Sequence, residues 1–206
     1  TLTQEQAGFN SESTEHTLVV EMRNVTKRLI KQLKKDKIIE GSSEVILADT
    51  GVKLMQKVHQ LSSGTIKFES GNRKVIDHSK ASFIRDYFKG KKKAIFYKFK
   101  AELEAIKNHL DITQDIEEFN TTGKDIALQI VSGREGINLS KADVLCYYNI
   151  DFSAVSYWQS RDRLTTIDRL KNNVYWIFSD CGIEKDIYKS VMNKKDFTLQ
   201  TFKQKC

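Results

Sequence analysis

Two segments of the sequence combine residue types that can bind a phosphate group. The first is the loop Ser132–Leu139, in which Gly133 and Gly136 follow an apolar segment. Glycine lets backbone N–H groups approach a phosphate closely. The second is Gln159–Arg163, where two arginines that can each bind two phosphate oxygens fall within about two turns of a predicted helix. Each pattern also has a structural explanation, because glycine pairs form turns and mixed charges form salt bridges on helix surfaces.

The elements that must position these segments alternate between strand and helix from about residue 79 onward. The predicted helices lie at Ser79–Phe88, Leu103–Leu110, Val155–Arg163 and Ile183–Met192. The predicted strands are Ala94–Tyr97, Ile126–Val131, Val144–Tyr148 and Val174–Phe178. This alternation is typical of a parallel sheet covered by helices on both faces. Ligands of such sheets bind at the loops that leave the carboxyl ends of strands, so we expect the site after Tyr97, Val131 and Tyr148.

The preceding part of the chain predicts a strand, two helices and a hairpin. A strand is expected over His16–Arg23, and Asn24 can cap a helix whose apolar stripe ends with Leu33 and Ile38. Gly41 stops that helix, and a second helix follows Asp49. Two short strands, Thr65–Glu69 and Arg73–Ile76, flank a turn. We therefore divide the chain into a polar lead-in (1–15), a strand–helix–hairpin part (16–78) and an α/β core (79–206).

Length and composition favour one soluble globular domain, or one such domain with an appendage. The chain has 206 residues, of which 39% are hydrophobic and 30% are charged. No apolar run approaches the roughly 20 residues of a membrane span, and the N-terminus has no secretory signal. We expect a cytoplasmic location and no membrane partner. Because the sequence starts at Thr1, we also expect a fragment of a longer protein.

Charge, cysteines and histidines narrow the classes of partner. The net charge of +7 raises the expectation of an anionic partner such as nucleic acid, although lysine clusters are more often solvated faces. Three widely spaced cysteines favour reduced thiols over disulfides or a zinc cluster. The four histidines have no spacing that would bring two of them to one metal. The sequence therefore predicts no metal site.

The order and spacing of five segments together resemble the second motor lobe of Swi/Snf-type superfamily 2 helicases, over about residues 17–197. Ala94–Phe99 is similar to helicase motif IV, the loop ending Gly136–Leu139 to motif V and Gln159–Arg163 to motif VI, and Ile116–Asn120 comes between the first two of these. The strand Val174–Phe178 and the helix after Gly182 are similar to those that close this lobe. The resemblance also suggests a phage-related source.

The resemblance implies a RecA-like (P-loop NTPase-like) three-layer sandwich with a mainly parallel sheet. In such a lobe Arg163 would contact the γ-phosphate of an ATP held by the other lobe. Thr166 stands where the family has a second arginine, so the roles of Arg161 and Arg169 stay open. Further nucleotide contacts are implied for Gln159, Arg161, Asp162 and Gly136. Contacts with the DNA backbone are implied for Tyr97, Lys98, Ser132 and Gly133.

Two sequence features of the family's ATP site are absent from this chain. No G-x-x-x-x-G-K-[ST] stretch occurs, and no acidic pair supplies a magnesium ligand. Both belong to the first lobe of the family, so ATP and magnesium are expected only in an intact two-lobed protein and not on this lobe alone. The expected partners are DNA and the first RecA-like lobe of the same parent chain. A stand-alone basic nucleic-acid-binding module and a non-catalytic assembly protein remain alternatives.

Overall fold

The structure is a computed structural model that describes residues 12–130, 137, 139–157 and 171–204. Within these ranges, no helix is both long and apolar enough to cross a membrane. The first strand, β1 (Glu12–Val20), begins four residues earlier than the sequence indicates. Its early residues are polar, but Glu15 accepts hydrogen bonds from aromatic side chains, as described below, and this makes a polar residue compatible with a sheet position.

The helix that follows β1 is shorter than its apolar pattern predicts. Helix α1 (Asn24–Asp36) ends because Lys37 adopts a left-handed conformation with φ of 63°, and its N–H bonds to the carbonyl of Leu33. The prediction that Ile38 belongs to the helix is therefore wrong. Ile38 starts β2 (Ile38–Glu40), which pairs antiparallel with β3 (Val45–Leu47), and its side chain is 37% exposed. Gly41 lies in the turn of this unpredicted hairpin.

The second helix and the second hairpin agree with the sequence. Thr50 caps α2 (Gly51–Ser62) by accepting a hydrogen bond from the Lys53 N–H at 3.2 Å. The predicted apolar face of α2 is buried in the core, namely Leu54, Met55, Val58 and Leu61. Strands β4 (Thr65–Lys67) and β5 (Arg73–Val75) form the antiparallel hairpin. Residues 21–78, called the cap segment below, thus contain α1, α2 and both hairpins.

The rest of the chain alternates helix and strand as predicted. Its elements are α3 (Ser79–Tyr87), β6 (Lys93–Tyr97), α4 (Lys100–Lys107), β7 (Ile112–Thr113), α5 (Ile116–Thr121), β8 (Asp125–Gln129), β9 (Val144–Tyr147), β10 (Lys171–Ser179), α6 (Glu184–Met192) and α7 (Leu199–Lys203). Residues 154–157 are helical, and the rest of the helix predicted over Val155–Arg163 lies outside the described residues. The short elements β7, α5 and α7 have no counterpart among the predicted elements.

Six strands form one parallel sheet in the order β1-β10-β9-β6-β8-β7. Alternate side chains of each strand enter two separate cores. One core packs beneath α3 and α4, and the other contains Trp176, Tyr147 and the apolar residues of α5 and α6. The chain therefore has the predicted three-layer α/β architecture with a parallel sheet. Because β1 pairs with β10, the first strand belongs to this sheet. The predicted domain boundary at residue 78 stays a prediction.

The connections reverse direction between β6 and β9. From β6 the chain proceeds to β7 and β8 on one side, and from β9 it proceeds to β10 on the other. In open α/β sheets such a reversal opens a crevice at the carboxyl ends of the two strands, where ligands bind. Strands β8, β6 and β9 are neighbours, so the three loops that the sequence marks for chemistry leave the same edge side by side.

Candidate functional site at the carboxyl edge of the sheet

A buried series of hydrogen bonds between side chains lies in the crevice between β6 and β9. His59 of α2 bonds through Nε2 to Oδ1 of Asn149, just after β9, at 2.6 Å. The amide nitrogen of Asn149 donates to Glu102 at 2.5 Å. The second oxygen of Glu102 accepts from the backbone N–H groups of Lys98 and Phe99 at 2.7 and 3.0 Å. His59 and Glu102 are fully buried, so this series of hydrogen bonds links the cap segment to the carboxyl ends of both strands.

The hydrogen-bond pattern fixes the tautomer of His59. Asn149 must present its amide nitrogen to the Glu102 carboxylate, and its oxygen also accepts from the Ile150 N–H at 2.8 Å. His59 Nε2 therefore carries the proton, and Nδ1 is a buried acceptor that has no hydrogen-bond partner among the residues that the structure describes. Burial, followed by the charge of Lys98, lowers the pKa of His59 well below 6.5. The imidazole is thus neutral near pH 7.

Glu102 has the opposite shift. Burial raises the pKa of its carboxyl group, although hydrogen bonds from Ser63, Asn149 and two backbone N–H groups favour the ionised form. The donors surround both carboxylate oxygens, and they come from α2, the loop after β6 and the loop after β9. Glu102 consequently determines the spacing of these three segments.

The two predicted DNA-binding residues that the structure describes already have partners within the protein. Tyr97 is 4% exposed, and its hydroxyl accepts a hydrogen bond from the Gln114 amide at 3.1 Å. The Lys98 ammonium lies 2.8 Å from Asp151 and 4.9 Å from the ring centroid of Phe152. Lys98 would have to share its charge with Asp151 in order to bind a phosphate. DNA contact by either residue stays a prediction.

A fully buried ion pair closes the same edge beside β9 and β10. Lys80 of α3 pairs with Glu184 of α6, and neither side chain is exposed. Lys80 also donates to the carbonyl oxygen of Tyr148 at 3.0 Å. The other oxygen of Glu184 accepts from the N–H and the hydroxyl of Ser179 at 2.9 and 2.6 Å. This pair joins the helices of the two outer layers through the ends of two strands.

A carboxylate on β1 holds the helical turn of residues 154–157, which precedes the motif VI segment in the sequence. Glu15 accepts hydrogen bonds from the Tyr157 hydroxyl at 2.9 Å, the Trp176 indole N–H at 3.2 Å and the Tyr188 hydroxyl at 2.8 Å. Tyr157 is buried and precedes the Gln159–Arg163 segment by two residues. The sequence analysis missed this role, because it placed Glu15 in the polar lead-in and no local pattern links it to residues 142 or more positions away.

The other predicted site residues lie outside the described residues. They are Ser132, Gly133, Gly136, Gln159, Arg161, Asp162 and Arg163. The structure describes the residues from which these segments depart: the Ile130 N–H donates to the Tyr97 carbonyl at 2.8 Å, and Tyr157 is held by Glu15. Among the described residues, no group of three or more histidine, cysteine or acidic side chains could hold a metal ion.

The sheet order, the two helical layers and the position of the loops define a RecA-like α/β lobe, and solved structures share this fold. The C-terminal part of the Fun30 ATPase domain matches with a TM-score of 0.65 and 14% identity, over 93% of this chain and 92% of that chain. The Sulfolobus solfataricus SWI2/SNF2 ATPase core, solved in complex with dsDNA, matches with a TM-score of 0.59 and 15% identity. That match covers 88% of this chain and 44% of the core, so this chain spans less than half of it.

No protein-family model and no curated protein matches the sequence. At 14–15% identity, the two solved structures establish the fold and no more. The predicted RecA-like architecture is thereby confirmed. The phage-related source and the cytoplasmic location stay predictions, because neither structure bears on them.

Proposed function

We propose that this chain is the second motor lobe of an ATP-dependent DNA helicase or translocase of the Swi/Snf type. One observation carries the proposal: the segment that resembles motif IV contains β6, and those that resemble motifs V and VI come after its two neighbours, β8 and β9, in a fold shared with part of an ATPase domain. In a two-lobed motor this edge would face the nucleotide on the first lobe. The buried contacts of Glu102 and Glu184 would keep that edge in a fixed shape, and Glu15 would hold Tyr157, two residues before the motif VI segment.

The proposed chemistry divides the ATP site between two lobes. The described residues offer no cluster that could hold magnesium, and the sequence has no P-loop, so phosphate cradle and metal ligands are assigned to the first lobe. ATP, when bound there, would supply the phosphoryl group whose charge increases as its terminal bond breaks. Arg163 would stabilise that charge, with Gln159, Arg161, Asp162 and Gly136 near the nucleotide.

Arg163 gives the sharpest test. In the protein that carries both lobes, Arg163→Lys should lower DNA-stimulated ATP turnover by about a thousandfold, because lysine cannot form the planar two-point contact of a guanidinium. DNA binding should be unchanged. Thr166→Ala is the matched control and should leave turnover within a few-fold. If turnover instead falls in Arg161→Lys or Arg169→Lys, the finger is that residue. Normal turnover in all three arginine variants would contradict the proposal.

The chain alone should bind DNA weakly, without sequence preference, and should not hydrolyse ATP above background. A chain of net charge +7 binds a polyanion mainly by releasing counterions, so affinity for duplex DNA should fall steeply as salt rises. Fluorescence anisotropy at several salt concentrations measures this slope. An affinity that ignores salt, a strong preference for one sequence, or DNA-stimulated ATP turnover by the chain alone would each contradict the assignment.

A further inference from the structure

Five aromatic rings form an unbroken series on the face of the sheet that α3 covers. His16 of β1 stacks on Tyr175 of β10 with centroids 4.8 Å apart, and Tyr175 meets Phe88 edge-on, also at 4.8 Å. Phe88 meets Tyr87 at 4.8 Å, and Tyr87 stacks on Phe83 at 5.1 Å. These five residues are called the aromatic ledge. The ledge joins three elements that are distant in the sequence.

The ledge is partly open to solvent, chiefly at Tyr87. Tyr87 is 55% exposed, His16, Phe83 and Tyr175 are partly exposed, and only Phe88 is buried as the central support. Tyr87 ends α3, after which the chain turns into the amino end of β6. The ledge is therefore separate from the carboxyl edge, where the motor function is proposed. Tyr87 stacks on Phe83 and is more than half exposed, so its ring has exposed surface on which a further flat ring can stack.

The charge beside the ledge is positive. Lys89 and Lys91 follow Phe88 in the turn, both are exposed, and neither forms an ion pair with another described residue. The acid next to Tyr87, Asp86, is already paired with Arg85 at 2.7 Å. The pKa of Asp86 is lowered first by that contact, and the charges of His109 and Lys89 lower it further. Residues 85–91 therefore carry three positive charges, on Arg85, Lys89 and Lys91, and one negative charge, on Asp86.

We propose that the aromatic ledge binds single-stranded nucleic acid, with bases stacked on Tyr87 and its neighbours and the backbone phosphates near Lys89 and Lys91. Flat rings beside unpaired lysines are what a sequence-tolerant single-strand site requires, since every base has a face that can stack and every nucleotide carries a phosphate. The site goes beyond the proposed motor function, because it lies away from the carboxyl edge and needs neither ATP nor a second lobe. A single strand, rather than a duplex, is the ligand, because bases in a duplex are stacked on one another.

The test compares two substitutions that differ only in ring shape. Tyr87→Phe keeps the flat ring, and Tyr87→Leu keeps an apolar side chain without one. The probe is a fluorescein-labelled oligothymidylate of about twelve nucleotides, followed by anisotropy. We expect Tyr87→Leu to weaken binding roughly tenfold and Tyr87→Phe to stay within about twofold. Val52→Ala, at a 56% exposed position on α2, is the matched control and should bind as the parent does.

The lysines give a second, independent measurement. Lys89→Ala with Lys91→Ala should reduce the slope of log affinity against log salt by roughly 0.7 for each lysine. Equal affinity of the Tyr87→Leu and Tyr87→Phe variants would overturn the inference, and so would an unchanged salt slope. Either result would instead favour a protein as the partner of the aromatic rings. An oligouridylate of the same length separates RNA from DNA. If the Tyr87→Leu variant still binds duplex DNA, the motor-lobe proposal is unaffected even when the inference about the ledge is wrong.

Discussion

A buried ion pair at the amino end of the central sheet joins two neighbouring strands, whereas the one at the carboxyl end joins helices of the two outer layers. At the amino end Lys93 of β6 pairs with Asp125 of β8 at 3.0 Å, and its N–H donates to the same carboxylate at 2.7 Å. Both side chains keep about a tenth of their surface exposed. At the carboxyl end Lys80 and Glu184 have no exposure and are 104 residues apart.

The difference shows which end depends on the whole fold. The amino end is closed within the sheet, so its ion pair survives small movements of the helices and has water as an alternative partner. The carboxyl end is where the cap segment, α3 and α6 meet, and its polar groups have no water to replace a lost partner. Substitutions there should cost more than chemically identical substitutions at the amino end.

The largest effect is expected for Lys80→Met. Removing the ammonium leaves Glu184 buried and unpaired, and such a loss typically destabilises a protein by about 3–5 kcal/mol. Urea unfolding followed by circular dichroism measures the change. Lys80→Met combined with Glu184→Leu should regain most of the loss, since the buried charge is then gone. If the double variant is no more stable than the single one, the ion pair is not the cause.

The matched substitution at the amino end is Lys93→Met, for which we expect a smaller loss, on the order of 1–2 kcal/mol. The Asp125 carboxylate keeps its hydrogen bond from the backbone N–H of residue 93 and is partly exposed to solvent, so its charge is still stabilised. The same urea experiment applies. Equal losses for Lys80→Met and Lys93→Met would show that the two ends do not differ in the way the contacts indicate.

A change without any charge sharpens the comparison. Asn149→Leu removes the donor to Glu102 and the acceptor for His59 together, so we expect a loss of about 2 kcal/mol in the free energy of unfolding. Asn193→Leu is the control, because that amide is exposed and donates to the Lys189 carbonyl of the helix that Asn193 ends. Equal stability of Asn149→Leu and the parent protein would mean that water replaces the amide.

The smallest effect is a pH dependence that His59 imposes. Its pKa is lower in the folded protein than in the unfolded chain, so below about pH 6.5 the unfolded chain binds a proton that the folded protein does not. The free energy of unfolding should therefore fall as the pH drops, by at most about 1.4 kcal/mol per pH unit. His59→Gln can still donate to Asn149 and should show a shallower decline between about pH 7.5 and pH 5.5.

Two other groups define the control for this experiment. The pKa of His109 is also lowered by burial, so it adds a decline of the same sign, and only the difference between parent and His59→Gln belongs to His59. The raised pKa of Glu102 acts in the opposite direction, because protonation of the folded protein at more acidic pH stabilises it. Identical slopes for the parent and His59→Gln would contradict a neutral buried imidazole.

The sequence predicts periodic elements well and long-range contacts poorly. Val58 and Leu61 reveal the buried face of α2 because helical spacing is a local signal, and the apolar strand Val144–Tyr148 is equally legible. Ile38 was misassigned because its spacing suits a helix, while the left-handed Lys37 that ends the helix has no compositional mark. The loops of the site could be located from the ends of the predicted strands. The spacing of His59, Glu102 and Asn149 in the sequence does not indicate that they form hydrogen bonds with one another.

The pairing of β1 with β10 also has a consequence for how the chain folds during synthesis. Glu15 and Trp176, which bond across these strands, are 161 residues apart. At about 5–20 residues per second, a ribosome would need roughly ten to thirty seconds to reach β10 after β1 has emerged. During that interval the Leu18-Val19-Val20 segment has no strand to pair with, and it is exposed to neighbouring chains. High contact order of this kind slows folding, so crowded synthesis should favour aggregation through β1 before the sheet can close.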